Sequence, residues 1–240
     1  GCKSIAQQMV DSEADIIMGG GSSKFSERQL ETLKNNFVFT DNNADMKNFK
    51  GGKLRALFSK SHMSFEVDRA KTKQPSLAEM TETAIKNLET NQKGYVLMVE
   101  AGRIDHAHHG TNAYRALTDT QALNEAVIIA KEIADEETLI MVTADHSHVF
   151  TMAGYPIRGN PILGLVKTID QITGLPSENY DKALDGKPYT TLGYHNGPNL
   201  RINNDKPLTN EIVQDKNYRQ QTAIPMNYET HAGEDVALFG

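Results

Sequence analysis

Two short apolar runs constrain this chain most. "GYVLMV" at 94–99 and "TLIMVT" at 138–143 are almost unbroken in apolar side chains. Between them, 111–135 carries Ala113, Leu117, Leu123, Val127 and Ala130 at helical spacing. Strand, helix and strand in this order predict a βαβ unit whose strands run parallel and are buried on both faces. Open parallel sheets gather their ligand-binding groups beyond the carboxyl ends of the strands. Glu100 directly follows the first run, and Asp145 and His146 closely follow the second. The pattern therefore predicts that these side chains share one edge of the sheet.

The flanking sequence supports an α/β chain. "CKSIAQQMVDSE" and "SERQLETLKNN" read as helices, and "ADIIMGGG" and "FVFT" as strands. Gly19-Gly20-Gly21 lacks the Lys-Ser/Thr continuation of a phosphate-cradling loop and reads as a turn. "PSLAEMTETAIKNLET" opens with Pro75 and a capping box of Ser76 and Glu79, and then places Leu77, Met80, Ala84 and Leu88 on one face. From 154 to 230, prolines and glycines interrupt any helical period, as expected of a loop-rich insertion with short strands. "HAGEDVALFG" then offers one more strand to rejoin the main sheet.

The 240 residues suffice for one large domain, or for one with a smaller insertion. A net charge of −6 argues against a general nucleic-acid-binding surface. No apolar run approaches the roughly 20 residues that span a bilayer. Cys2 is the only cysteine, and a lone cysteine leaves the redox compartment open.

The chemistry concentrates in "VEAGRIDHAHHG", 99–110, which holds Glu100, Asp105, His106, His108 and His109. Asp105 and His109 stand four residues apart, so one helical turn brings both to one point. Carboxylate with imidazole suits zinc, whereas Glu100, an isolated oxygen ligand, suits a harder ion such as magnesium. His231 lies far along the chain but begins the returning strand. Taken alone, either cluster would fit a solvated loop. Together, beyond two buried parallel strands, they point to a polynuclear metal site of the kind that hydrolyses phosphate esters.

The residues then show a resemblance. "VEAGRIDHAHHG", "VTADHSHVFTMAGYPIRGNPILGL", "YRQQTAIPMNYETHAGEDVALFG" and "PSLAEMTETAIKNL" resemble the alkaline phosphatase family, its animal members in particular, over essentially the whole chain. The resemblance implies an α/β three-layer sandwich with a largely parallel central sheet. The core would span 1–153 and 231–240, and 154–230 would form a crown-like insertion at a dimer interface and over the site entrance. It implies two Zn2+ and one Mg2+: Asp105, His109 and His231 on the first zinc, Asp145 and His146 on the second, and Glu100 on the magnesium. His106 and His108 receive no metal, His148 is a neighbouring group without a ligand role, and His195 is expected at the surface. The implied reaction is hydrolysis of small phosphate monoesters, releasing inorganic phosphate, through a phosphoserine intermediate.

Departures from the family pattern shape the expectation. The Asp-Ser-Ala type motif of the nucleophilic serine is absent, as are the aspartate bridging the second zinc and magnesium, a hydroxyl ligand to magnesium and the phosphate-clamping arginine. Both ends read as cuts through a longer protein, so this chain by itself is expected to be inactive. The alternative is a noncatalytic, truncated zinc-binding relative or structural module. Cys2 resembles a family position that pairs with a cysteine in the N-terminal part, implying an oxidising compartment. The expected location is extracellular, cell-surface or periplasmic, with any membrane anchor lying beyond the C-terminus. Ser59 and Gln74 stand where animal members carry acidic calcium ligands, so that calcium site is expected to be absent or altered.

Overall fold

The computed structural model describes residues 2–200 and 207–240. The chain divides into two compact units, Gly1–Arg103 with Asp119–Ile140, and Ile104–Thr118 with Met141–Gly240.

The first unit is built on a parallel sheet. Strands β1 (Ile16–Gly19), β2 (Val38–Thr40) and β3 (Leu54–Leu57) lie in the order β1-β3-β2, with β3 pairing parallel to both neighbours. The sheet carries helices on both faces. On one face Leu54 and Ala56 pack with Ile16 and Met18 of β1, with Met46 of α3 (Asn43–Lys47) and with Met80 of α5 (Leu77–Leu88). On the other, Leu57 and Phe39 pack with Val10 of α1 (Cys2–Asp11) and with Leu30 and Leu33 of α2 (Glu27–Asn36). The alternation along each strand thus feeds two cores, and the result is three layers.

Local signals start the helices. Capping boxes of Ser26 with Gln29 and of Ser76 with Glu79 open α2 and α5. The glycine turn after β1 is present, with Gly21 at φ +92° leading into a short 3-10 turn, Ser22–Lys24. Between β3 and α5 lies a four-residue helix α4, Glu66–Arg69. The Cys2 side chain lies outside the described residues, as does any pairing it makes.

Strand β3, the centre of this sheet, is not evident from the sequence pattern, and the two apolar runs expected to form central strands depart from that expectation. Residues 94–99 join no ladder among the described residues, and Val96 and Met98 are 97% and 84% exposed. In 138–143 only β4 (Val142–Thr143) pairs, and its partner β10 (Leu238–Phe239) runs antiparallel. Leu139 and Met141 are 74% and 65% exposed. Apolar sequence suits both runs to burial on two faces, but a ladder needs a neighbouring backbone edge in register, and 94–99 pairs with none among the described residues.

The intervening helix α7 (Ala113–Ile133) forms as expected, two residues shorter at each end. Its fully buried positions are Ala113, Ala116, Asp119, Ala122 and Ala126, while Leu117, Leu123, Val127 and Ala130 are only partly buried. Small side chains, rather than the large ones, mark the inward line. Among the described residues no helix is long and apolar enough to cross a membrane.

The second unit holds α6 (Arg103–His109) from Ile104 onward and a three-stranded sheet. In that sheet β6 (Phe150–Met152) pairs antiparallel with β7 (Leu192–Gly197), and β7 pairs parallel with β8 (Thr222–Pro225). A short antiparallel ladder joins β5 (Ser147–His148) to β9 (His231–Ala232). The proline- and glycine-rich sequence folds with few regular elements around Leu165, Leu208 and Val213, with α8 (Asn210–Val213) supplying the last of these.

Candidate metal centre

Two local structures bring the imidazoles together. Helix α6 sets Asp105 and His109 one turn apart on one face. The β5–β9 ladder sets His148 directly opposite His231, and paired residues in an antiparallel ladder project to the same side. His146 precedes β5 and stacks on His231, with ring centroids 3.6 Å apart.

Three atoms form a near-equilateral triangle. His109 Nε2 and His231 Nε2 each lie 3.2 Å from Asp105 Oδ1, and 3.2 Å from one another. Zinc bound at about 2.0–2.2 Å in a tetrahedron holds its ligand atoms about 3.3 Å apart. His148 Nε2 adds a fourth atom 3.1 Å from Asp105 Oδ1, and His146 Nε2 a fifth at 3.9 Å. Two overlapping groups therefore have the composition and spacing to hold a cation: Asp105, His146, His148 and His231, and His109, His148 and Glu229.

Proton bookkeeping sharpens this. His109 Nδ1 is 2.6 Å from the Glu229 carbonyl oxygen, and His146 Nδ1 is 3.2 Å from the Ser147 carbonyl oxygen. A carbonyl oxygen only accepts, so both rings donate through Nδ1. His148 Nδ1 donates to the Glu229 carboxylate at 2.8 Å. Neutral imidazoles that donate through Nδ1 present a bare lone pair at Nε2. Three Nε2 atoms, of His109, His146 and His148, face the neighbourhood of Asp105 Oδ1, and buried His148 Nε2 has no hydrogen-bond partner. A carboxylate oxygen ringed by imidazole nitrogens, one of them buried without a hydrogen-bond partner, is a donor set that fits a metal ion.

Burial opposes ionisation of Asp105, but neighbouring His109, His148 and His106, with the hydrogen bond from His231, outweigh it and hold the carboxyl below the usual aspartate range. His108 sits behind the site. Burial, with His148 nearby, pushes its pKa down to about 4. It stacks on His148 with centroids 4.7 Å apart and meets the Tyr194 hydroxyl through Nδ1 at 2.8 Å. Burial, with Glu229 nearby, in turn raises the Tyr194 phenol.

The sequence-predicted ligands divide into those gathered and those not. Asp105, His109, His146 and His231 converge. Asp145 adjoins them, with Oδ2 3.4 Å from His146 Nε2, but its side chain is 89% exposed. Glu100 belongs to the first unit and is in neither carboxylate–imidazole group among the described residues. Its carboxylate folds back over Gly102, and it lines a 90 Å³ cleft with Arg69, Arg103 and Asp119. His148, expected only as a neighbour, enters both groups, and buried Glu229 is unanticipated. Its one sequence signal is the "ETH" spacing, a carboxylate two residues before a proposed ligand. His195 is exposed, as expected, and its backbone N–H donates to the Val149 carbonyl.

The family model for alkaline phosphatase matches residues 1–240. The chain belongs to the alkaline phosphatase family. Tissue-nonspecific alkaline phosphatase of Felis catus is 42% identical over 189 residues, covering 78% of this chain and 34% of the cat protein. The Gallus gallus tissue-nonspecific isozyme is 36% identical over 277 residues, covering all of this chain and 51% of the chicken protein. A cold-active alkaline phosphatase from the psychrophile Shewanella sp. superposes with a TM-score of 0.59 at 26% identity, covering 66% of this chain and 40% of that one. The chain thus spans about half or less of the length of the curated relatives it matches, and its fold is mixed α/β with parallel strands.

Proposed function

We propose that this chain supplies the metal-binding wall of a phosphate monoesterase. Asp105, His109 and His231 would hold a first zinc, Asp145 and His146 a second, and Glu100 a magnesium. The observation that carries this reading is the triangle of Asp105 Oδ1, His109 Nε2 and His231 Nε2, each 3.2 Å from the others. Zinc bound there would polarise phosphate oxygens and lower the pKa of an attached water or hydroxyl. The protein's own part is to keep the ligand atoms bare and oriented. Backbone and side-chain oxygens hold the protons of His109, His146 and His148 on Nδ1, and the short β5–β9 ladder fixes His231 against α6.

The nucleophilic serine, the phosphate-clamping arginine and the remaining magnesium ligands would come from sequence outside this chain. Residues 154–230 would form the crown, a homodimer would be the assembly, and the protein would act outside the cell, at its surface or in a periplasm. Ser59 and Gln74 bind within the protein, Ser59 donating to the Ser61 carbonyl and Gln74 accepting from the Ser64 N–H, which supports an altered calcium site.

Chelator competition with zinc tests the assignment. The metal-free chain is expected to bind zinc. His231→Ala should weaken the first zinc more than the second, since it removes one of only three protein ligands there. The opposite order would count against the assignment. The same chain should not turn over p-nitrophenyl phosphate, and robust turnover would show that the nucleophile lies within it.

A further inference from the structure

We infer that Glu229 is the positioning residue of this metal centre, and that it sets the tautomer and aim of two imidazoles at once. The inference rests on the proposed metal site and concerns what holds that site ready. Glu229 is fully buried. One carboxylate oxygen accepts from the Val149 N–H at 2.9 Å, and the other accepts from His148 Nδ1 at 2.8 Å. Its backbone works on a second ring: the carbonyl accepts from His109 Nδ1 at 2.6 Å, and the Glu229 N–H donates to the His109 carbonyl at 3.1 Å. One residue therefore ties α6 to β5.

The neighbours are arranged to keep it there. Asn196 of β7 accepts from the Thr230 N–H at 3.1 Å and donates to the Thr230 hydroxyl at 2.9 Å, fixing the residue after Glu229. A Cβ at Gly197 would stand 3.5 Å from Glu229 Cβ and 2.5 Å from Thr111 Cγ2, so only glycine leaves both in place. Without the carboxylate, the His148 Nδ1 proton would lack its acceptor, and the ring would move its proton to Nε2 and donate to Asp105 Oδ1, 3.1 Å away. That proton would claim the Asp105 oxygen that the first zinc needs. Carboxylates behind ligating histidines act in this way in metal sites generally.

Nitrogen-15 NMR of the histidine side chains tests this without any variant. In the metal-free wild-type chain, His109 and His148 should both be Nδ1–H tautomers, and an Nε2–H form of either would overturn the inference. Glu229→Gln keeps the shape and one acceptor oxygen for Val149. It should move His148 toward the Nε2–H form, leave His109 on Nδ1 through the unchanged carbonyl, and weaken zinc binding by about 10- to 100-fold. Unchanged zinc affinity with unchanged tautomers in a folded Glu229→Gln chain would refute the role of Glu229 alone. A wild-type chain that binds no zinc would instead refute the metal site beneath it.

Discussion

Leu54→Ala tests the claim that β3, a strand not evident in the sequence, organises the first unit. Leu54 is completely buried, sits between Ile16 of β1 and Val38 of β2 in register, and packs in a cluster with Met46, Phe49, Ala56 and Phe58. Truncation removes three carbons, about 2.4 kcal/mol at ~0.8 kcal/mol per buried methylene. The surroundings are two-sided and helix-covered, so the void closes only partly, and the cavity raises the total to about 3–4 kcal/mol. Val38→Ala is the control: the same strand register, but a side chain 47% exposed, for an expected loss of under ~1 kcal/mol. Because the chain has two compact units, one global unfolding free energy is the wrong measure. Native-state amide hydrogen exchange of β1 and β3 reads the first unit directly. Those amides should lose protection by the full amount in Leu54→Ala and by little in Val38→Ala. Equal losses in the two variants would refute the placement of β3 at the centre of the core.

Two further outcomes follow from the geometry. Gly197→Ala combines a φ of +142° with a methyl 2.5 Å from Thr111 Cγ2, so it should destabilise the second unit by about 2 kcal/mol or more, read as lost exchange protection in β7 and β8. Glu79 is opposed by burial, but Lys47, Ser76 and Asn43 together hold it below the ordinary glutamate value of 4.5. Its contribution is therefore fully present above pH 4.5 and is lost as pH falls through the lower folded value. Glu79→Gln should flatten the acid-side loss of amide-exchange protection in α5, and an unchanged pH dependence would contradict the pairing.

The parts of this protein legible from its sequence are those whose cause is local. Ser76 announces α5 because a cap is a contact within four residues. Asp105 and His109 are legible as partners because helical pitch alone superimposes them, and His146 and His231 because long motifs resemble a family. Tertiary structure decided what depends on neighbours. Strand β3 is only four residues, "LRAL", with a charged residue inside it. It is central because β1 and β2 bring backbone to both its edges, and because Arg55 finds the Ser12 and Leu54 carbonyls and the Phe37 ring. The run at 94–99 has the stronger apolar pattern yet joins no ladder among the described residues, since hydrophobicity favours burial but cannot provide a partner edge. Glu229 and His148 belong to the same class. The glutamate of "ETH" and the second histidine of "DHSH" carry no more than a short spacing to a neighbour, and they acquire a role only when α6, β5 and the segment before β9 meet. Sequence alone determined which residues have the chemistry to bind metal; the fold decided which of their nitrogens stay free of protons and where those lone pairs point.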